Sequence, residues 1–266
     1  MKKLLLTVAL LPGIFSVPVI AAELSDYVYA NYLGSGLYSA AGRDVQVIGI
    51  PFSFPKPIYT ADTLEITIKV PVTIGLYDFS SDAPLALGQP ERLGTLTVVP
   101  SINFEYQLSA RWKLAPFVDL GFGQNFSDGS IVGIYATGIH SNYLFKFLGK
   151  KTRFGNRLLI AGNTAADTGF SSFDTGIEIN QPTGGKLFGK KLDINLYAVN
   201  FLYLKNLKLL RSQDPPVTVA MQNEIGFSFG LKYSINRPAL KIPRLGIGYR
   251  FGGNVQAVRI VFGAPF

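Results

Sequence analysis

Alternation of apolar and polar residues at a period of two runs through most of this chain, and it is clearest from residue 64 to residue 76. Leu64, Ile66, Ile68, Val70, Val72, Ile74 and Leu76 fall on one side, and Glu65, Thr67, Lys69, Thr73 and Gly75 on the other. Side chains of an extended strand point alternately to its two faces, so this run predicts a strand with one apolar and one polar face. It is longer than the usual strand of a soluble sheet, which has about 5–6 residues. A tilted strand that crosses a bilayer has the required length.

The same period, punctuated by Gly, Pro, Asn and Asp, predicts twelve strands over residues 27–39, 45–54, 64–76, 98–108, 112–124, 131–147, 154–165, 170–180, 192–197, 219–229, 244–252 and 255–266. An even number lets a barrel begin and end on the same side of the membrane. The loops at 78–92 and 205–216 then fall at one end and the short turn at 109–111 at the other, while the connection at 181–191 is long for its end. Leu24, Val28 and Tyr32 also fit a helical stripe, and a helix there would leave eleven strands. Pro51, Pro71, Pro100 and Pro116 each remove a ladder donor, so bulges are expected at some of them. In the last run, Val258, Ile260, Phe262, Ala264 and Phe266 alternate with Ala257, Arg259, Val261, Gly263 and Pro265, which predicts a strand reaching the last residue. Its wholly apolar face suits lipid and its small or charged face suits a polar lumen.

Composition narrows the class to an all-β transmembrane antiparallel barrel. The chain of 266 residues is 48% hydrophobic and 16% charged, against roughly 25% charged in soluble domains. Past residue 22 no apolar run approaches the roughly 18–20 residues of a membrane helix, so the apolarity is dispersed in alternation. The absence of cysteine excludes a disulfide framework and a thiolate metal site, and suits an oxidising compartment. Residues 1–22 read as a secretory signal, with Lys2 and Lys3 ahead of the apolar stretch Leu4–Leu11 and small residues Val19, Ala21 and Ala22 at the cleavage site. The expected division is a signal peptide over 1–22 and an outer-membrane barrel over 23–266. The formal charge is +8. Read as charges scattered singly along strands, it predicts no nucleic-acid partner; lipopolysaccharide phosphates and lumenal anions are the expected counterparts.

Three stretches carry a family resemblance: Val98–Asp119 (VVPSINFEYQLSARWKLAPFVD), Gln222–Gly230 (QNEIGFSFG) and Arg244–Phe266 (RLGIGYRFGGNVQAVRIVFGAPF). They resemble the solitary outer-membrane autotransporter-like β-barrels, that is, a translocator-type barrel without a passenger. The resemblance implies a fold and a location in the cell outer membrane, and brings no catalytic residues. It also implies that Phe266, Phe262 and Ile260 form the signal read by the barrel-insertion machinery. With only Glu23–Asp26 ahead of the first predicted strand, it leaves no passenger and no room for the usual plug helix.

Candidate chemistry is sparse. Nucleophile and base must lie within hydrogen-bond reach, and the only histidine, His140, has Gly138 and Asn142 two positions away while Ser141 points to the opposite face. An outer-membrane lipid hydrolase using His140 is therefore the alternative, and a non-enzyme the expectation. One histidine, no cysteine and dispersed carboxylates predict no metal site and no cofactor. Asp78, Ser80, Ser81 and Asp82 lie together in a loop, where acids are ordinarily solvated. Gly246, Gly248, Gly252 and Gly253 sit in and after a strand with no helix to hold a phosphate.

The polar faces place Lys69, Lys146, Arg157, Lys232, Arg244, Arg250 and Arg259 in the lumen with Glu65, Glu105, Asp119, Asp174, Glu178, Asp193 and Glu224, and His140 faces the same way. Glu224 is expected near Arg250. Paired, these charges fill a barrel; if the pore is open, Arg244, Arg250 and Arg259 form a basic stripe that favours anions. The expected role is structural or a small passive conduit for solutes or ions, with a binding module built on the long loops as a further alternative.

Overall fold

The polar face of each strand turns inward because the sheet closes on itself. In the computed structural model, residues 31–40, 43–54, 56–77, 92–126, 129–164, 169–187, 190–209, 217–237 and 240–266 are described. Their strands are β1 (Gly36–Ala40), β2 (Arg43–Ser53), β3 (Tyr59–Thr60), β4 (Leu64–Tyr77), β5 (Arg92–Val98), β6 (Ser101–Ser109) and β7 (Trp112–Asn125). They continue with β8 (Ile131–Phe147), β9 (Lys150–Asn163), β10 (Gly169–Leu187), β11 (Lys190–Leu209), β12 (Val217–Arg237), β13 (Leu240–Gly252) and β14 (Val255–Phe262). Every pairing is antiparallel, and β1 bonds both β2 and β14, which closes the sheet. β5 and β6 both lie between β4 and β7, so they are two halves of one barrel strand, and β3 only lengthens the edge that β2 presents to β4. The segments form a closed barrel of twelve strands.

Pro100 causes the break between β5 and β6. It stands between Val98 and Ser101, and the ladder is carried past it by Val99 N–H donating to Pro71 O (3.2 Å) and Leu120 N–H donating to Pro100 O (2.9 Å). Pro51 and Pro71 sit directly opposite each other in register, and Pro116 opposite Ile139, with no register shift at either place.

Leu245, Ile247 and Tyr249 on β13, and Val258 and Ile260 on β14, are exposed on the outer surface, while Arg250, Val255, Ala257, Arg259 and Val261 on the inner face are buried. No helix among the described residues is long and apolar enough to cross a membrane. The joins across residues 54–63, 110–111, 148–149, 188–189 and 238–239 lie at one end of the barrel, called here the short-turn end, and those across 41–42, 78–91, 126–130, 164–168, 210–216 and 253–254 lie at the other. The 1–22 leader and residues 23–30 lie outside the described residues.

Three expectations are corrected. The stretch 181–191 is strand for most of its length, joined across residues 188–189. Pro182 and the glycines that suggested a loop occupy a bulge, where the register jumps from Pro182↔Asp193 to Lys186↔Lys191. The Thr183 hydroxyl donates to Leu192 O (2.6 Å) and accepts from Gly185 N–H (3.2 Å), replacing ladder bonds. The first predicted strand is instead a helix over 31–33 followed by the shorter strand β1. Helix and strand coexist because Gly34, at φ +84°, turns the chain between them, so the even strand number survives and a helix does fit. Finally, the last strand stops at Phe262. Gly263, at φ +82°, donates its N–H to Arg244 O (3.0 Å) and bends the chain away from the sheet.

Candidate functional site

Alternation fixes which side chains enter the lumen, and register fixes which of them meet. Glu224 on β12 stands opposite Arg250 on β13, and Gly248 opposite Arg259 on β14. The fully buried Glu224 carboxylate accepts from Arg250 Nε at 2.9 Å, from Arg259 Nη1, and from the Tyr197 hydroxyl at 2.9 Å. The Arg250 guanidinium also lies 3.9 Å from the centre of the Phe201 ring, a cation–π contact. Beside this cluster the Tyr203 hydroxyl donates to Gln222 Oε1 (2.9 Å). Charge this deeply buried persists only when paired and hydrogen-bonded, and here both conditions are met.

Toward the short-turn end, Glu178 on β10 bridges Arg153 on β9 (3.2 Å) and Arg244 on β13 (2.6 Å), and Asp174 accepts from Arg157 Nε (2.6 Å). Phe266 enters this layer. Its ring lies over the bare inner faces of Gly155 and Gly176, where any Cβ would collide with it, and the Arg153 guanidinium sits 4.7 Å from its centre. The ring therefore packs inside the barrel. The expected outward placement on an apolar strand face is corrected for Phe266, while Ile260 is exposed on the outer face and Phe262 closes β14 opposite Leu245.

Arg244, Arg250 and Arg259 thus do not form a free basic stripe, because Glu178 and Glu224 engage all three. Across the lumen the wall is looser. Lys69 and Glu65 face inward from β4 but are exposed, without an ion-pair partner among the described residues, and Glu105 pairs with Lys113 at 2.8 Å. His140 packs against the Phe117 ring, with centroids 5.0 Å apart, and its register neighbours are Ala115 and Arg157. Neither neighbour is a nucleophile; Ser141 is on the outer face, accepting from Trp112 Nε1 at 2.9 Å. Asp193 is half-buried on the inner face and Lys146 is exposed near a turn. The side chain of Lys232 and the Asp78–Asp82 loop lie outside the described residues. Among the described residues no acidic or histidine cluster could hold a metal ion.

The helix over 31–33 lies within this lumen. Tyr32 donates to Asp119 Oδ2 on β7 (3.0 Å) and meets the Phe170 ring on β10 edge-on at 6.3 Å, and the Thr73 hydroxyl on β4 donates to Asn31 Oδ1 (3.4 Å). Leu33 is buried, and its carbonyl and that of Gly34 accept from the Tyr38 hydroxyl at 2.7 and 2.8 Å. One helical turn therefore touches walls on several sides of the barrel. The Arg259 guanidinium occupies the space where a side chain on Gly34 would lie, so the helix also rests on the Glu224 cluster.

Neither a protein-family model nor a curated protein matches the chain.

Sequence reasoning missed Arg153, Lys113, Tyr38 and the lumenal Phe266. Arg153 lay one residue ahead of the predicted strand 154–165, because Lys150, Lys151 and Thr152 before it carry no apolar alternation. Its spacing of four from Arg157, two strand periods, was the available signal.

Proposed function

We propose that this protein is an integral outer-membrane barrel of the autotransporter-translocator type, its lumen closed by the helix over 31–33. The observation that carries this reading is Tyr32, which spans from Asp119 on β7 to Phe170 on β10 with Leu33 buried behind it. The apolar outer face, and the placing of the long connections 78–91 and 210–216 at the end opposite four two-residue joins, support a membrane setting, with the short-turn end periplasmic. Outer-membrane lipids and lipopolysaccharide would then surround the wall, and the insertion machinery would deliver it. In its resting form the barrel is structural or a shut conduit. The anion lean loses its basis, since the three arginines that would supply it are paired.

Single-channel recording of refolded residues 23–266 in a planar bilayer tests this. The expected result is silence from the intact chain and steady current from a chain lacking residues 23–33. Steady current from the intact, folded chain would overturn the closed reading in favour of a passive pore.

A further inference from the structure

The outer face of the wall carries a row of polar side chains across five neighbouring strands. Ser141 on β8 stands opposite Asn156 on β9, Asn156 opposite Thr175 on β10, Thr175 opposite Asn200 on β11, and Asn200 opposite Asn223 on β12. All five are half-buried, and each has outward apolar neighbours two residues before and after it on its own strand, as Phe154 and Leu158 flank Asn156 and Phe173 and Ile177 flank Thr175. The row therefore lies within the apolar band and not at its watery margin. Six strands away, on the far side of the barrel, β2 shows Ile48, Ile50 and Phe52 outward in succession, with no polar side chain among them.

Amide and hydroxyl groups in hydrocarbon need hydrogen-bond partners, and the row supplies them only in part. Thr175 Oγ1 donates to Asn156 Oδ1 (3.0 Å), Asn200 Nδ2 donates to Asn223 Oδ1 (3.0 Å), and Ser141 Oγ accepts from Trp112 Nε1 (2.9 Å). Among the described residues the Asn156 amide N–H groups and the Asn200 side-chain carbonyl make no hydrogen bond, so the middle of the row offers donors and acceptors together. Such a surface is complementary to itself: the partly positive N–H groups of one copy meet the partly negative carbonyls of another. Polar, uncharged side chains of this kind hold membrane proteins together within lipid. Strands of a membrane barrel tilt by about 35–45°, so a row running straight across them climbs obliquely around the wall. On a copy related by a twofold axis along the membrane normal the same row slants the other way, and the two cross at one depth. Only the middle then meets itself, Thr175 on Thr175, with Asn156 and Asn200 of each copy to either side.

We propose that a second copy of this chain packs on the β8–β12 face, the two polar rows crossing at Thr175 to form a symmetric dimer within the bilayer. This rests on the membrane reading above. It is tested on residues 23–266 and on the variant Asn156→Leu/Thr175→Val/Asn200→Leu, each inserted into phosphatidylcholine vesicles and, in density-matched detergent micelles, followed by sedimentation equilibrium. The native chain is expected to dimerise, and the variant to do so about tenfold more weakly while still inserting. The chain has no cysteine, so single substitutions report the contact directly: in oxidised vesicles Thr175→Cys should form disulfide-linked dimers several-fold faster than Ile50→Cys on β2. A native chain that inserts but stays monomeric, a variant that associates as tightly, or equal crosslinking at the two cysteines would each overturn it. Failure of the native chain to insert into vesicles would instead remove the membrane reading, and this proposal with it.

Discussion

The Glu224 carboxylate on β12 and the Arg259 guanidinium on β14 meet across the intervening strand β13, over a place where β13 has no side chain. That place is Gly248, the register partner of Arg259, where a Cβ would lie 2.6 Å from Glu224 Oε1 and closer still to the Tyr197 hydroxyl. The ion pair therefore depends on a missing methyl group.

Gly248→Ala should displace the Glu224 carboxylate and the Tyr197 hydroxyl that donates to it at once. Overpacking of a tight core commonly costs about 1–3 kcal/mol, and here it would also strain buried charges. Urea unfolding in detergent micelles should show a lower midpoint for this variant than for Gly185→Ala, whose position is crowded only by the Thr183 hydroxyl at 3.3 Å.

Glu224→Gln leaves two buried guanidinium groups without a counter-charge. Breaking one side of a buried pair costs about 3–5 kcal/mol, so the urea midpoint should fall markedly. Glu65→Gln serves as the control: this lumenal carboxylate is exposed and makes no ion pair among the described residues, and a change within roughly 0.5 kcal/mol is expected. Equal effects from the two substitutions would show that the Glu224 cluster is not what holds this wall.

Tyr32→Phe removes one hydroxyl and leaves Asp119 Oδ2 without its donor, for an expected loss of about 1–3 kcal/mol with the lumen still shut. Tyr32→Ala also removes the ring from Phe170. In planar bilayers the alanine variant should show intermittent conductance and the phenylalanine variant none.

Phe266→Ala separates two roles. If the ring matters only as a signal for insertion, refolded protein should match the native stability and only assembly in cells should suffer. Its position over Gly155 and Gly176, beneath Arg153, predicts lower stability of the refolded barrel as well, by about 1–2 kcal/mol for a half-buried aromatic.

Alternation made the wall legible, and β4, β7 and β8 lie almost where the period of two placed them. The inner charges followed from the same pattern, including the opposition of Glu224 and Arg250. Alternation failed where a single backbone angle overrides it. From Phe262 to Phe266 the apolar residues keep their spacing, but Gly263 turns the chain inward, and side-chain period carries no record of that φ angle. Pro182, Gly184 and Gly185 misled in the opposite direction, because a bulge and a loop draw on the same residues. Residues 31–33 satisfied both periods, and contacts with Asp119, Thr73 and Phe170, remote in sequence, decided for the helix.

A closed sheet has no free edge, yet its joins differ in length. β1 holds β14 through five residue pairs and β2 through five more, whereas β8 and β9 share fourteen. The Ile260 N–H reaching Ser35 O at 3.0 Å adds one bond to the shorter join. Were the wall ever to part sideways, as a hatch rather than as a channel, it would part along β1, and Gly34 and Gly36 would be drawn off the Arg259 side chain, which stays with Glu224 on the β12–β14 side. The buried ion pair thus stiffens one lip of the seam without crossing it, and lateral opening would uncover Arg259 while leaving its charge paired.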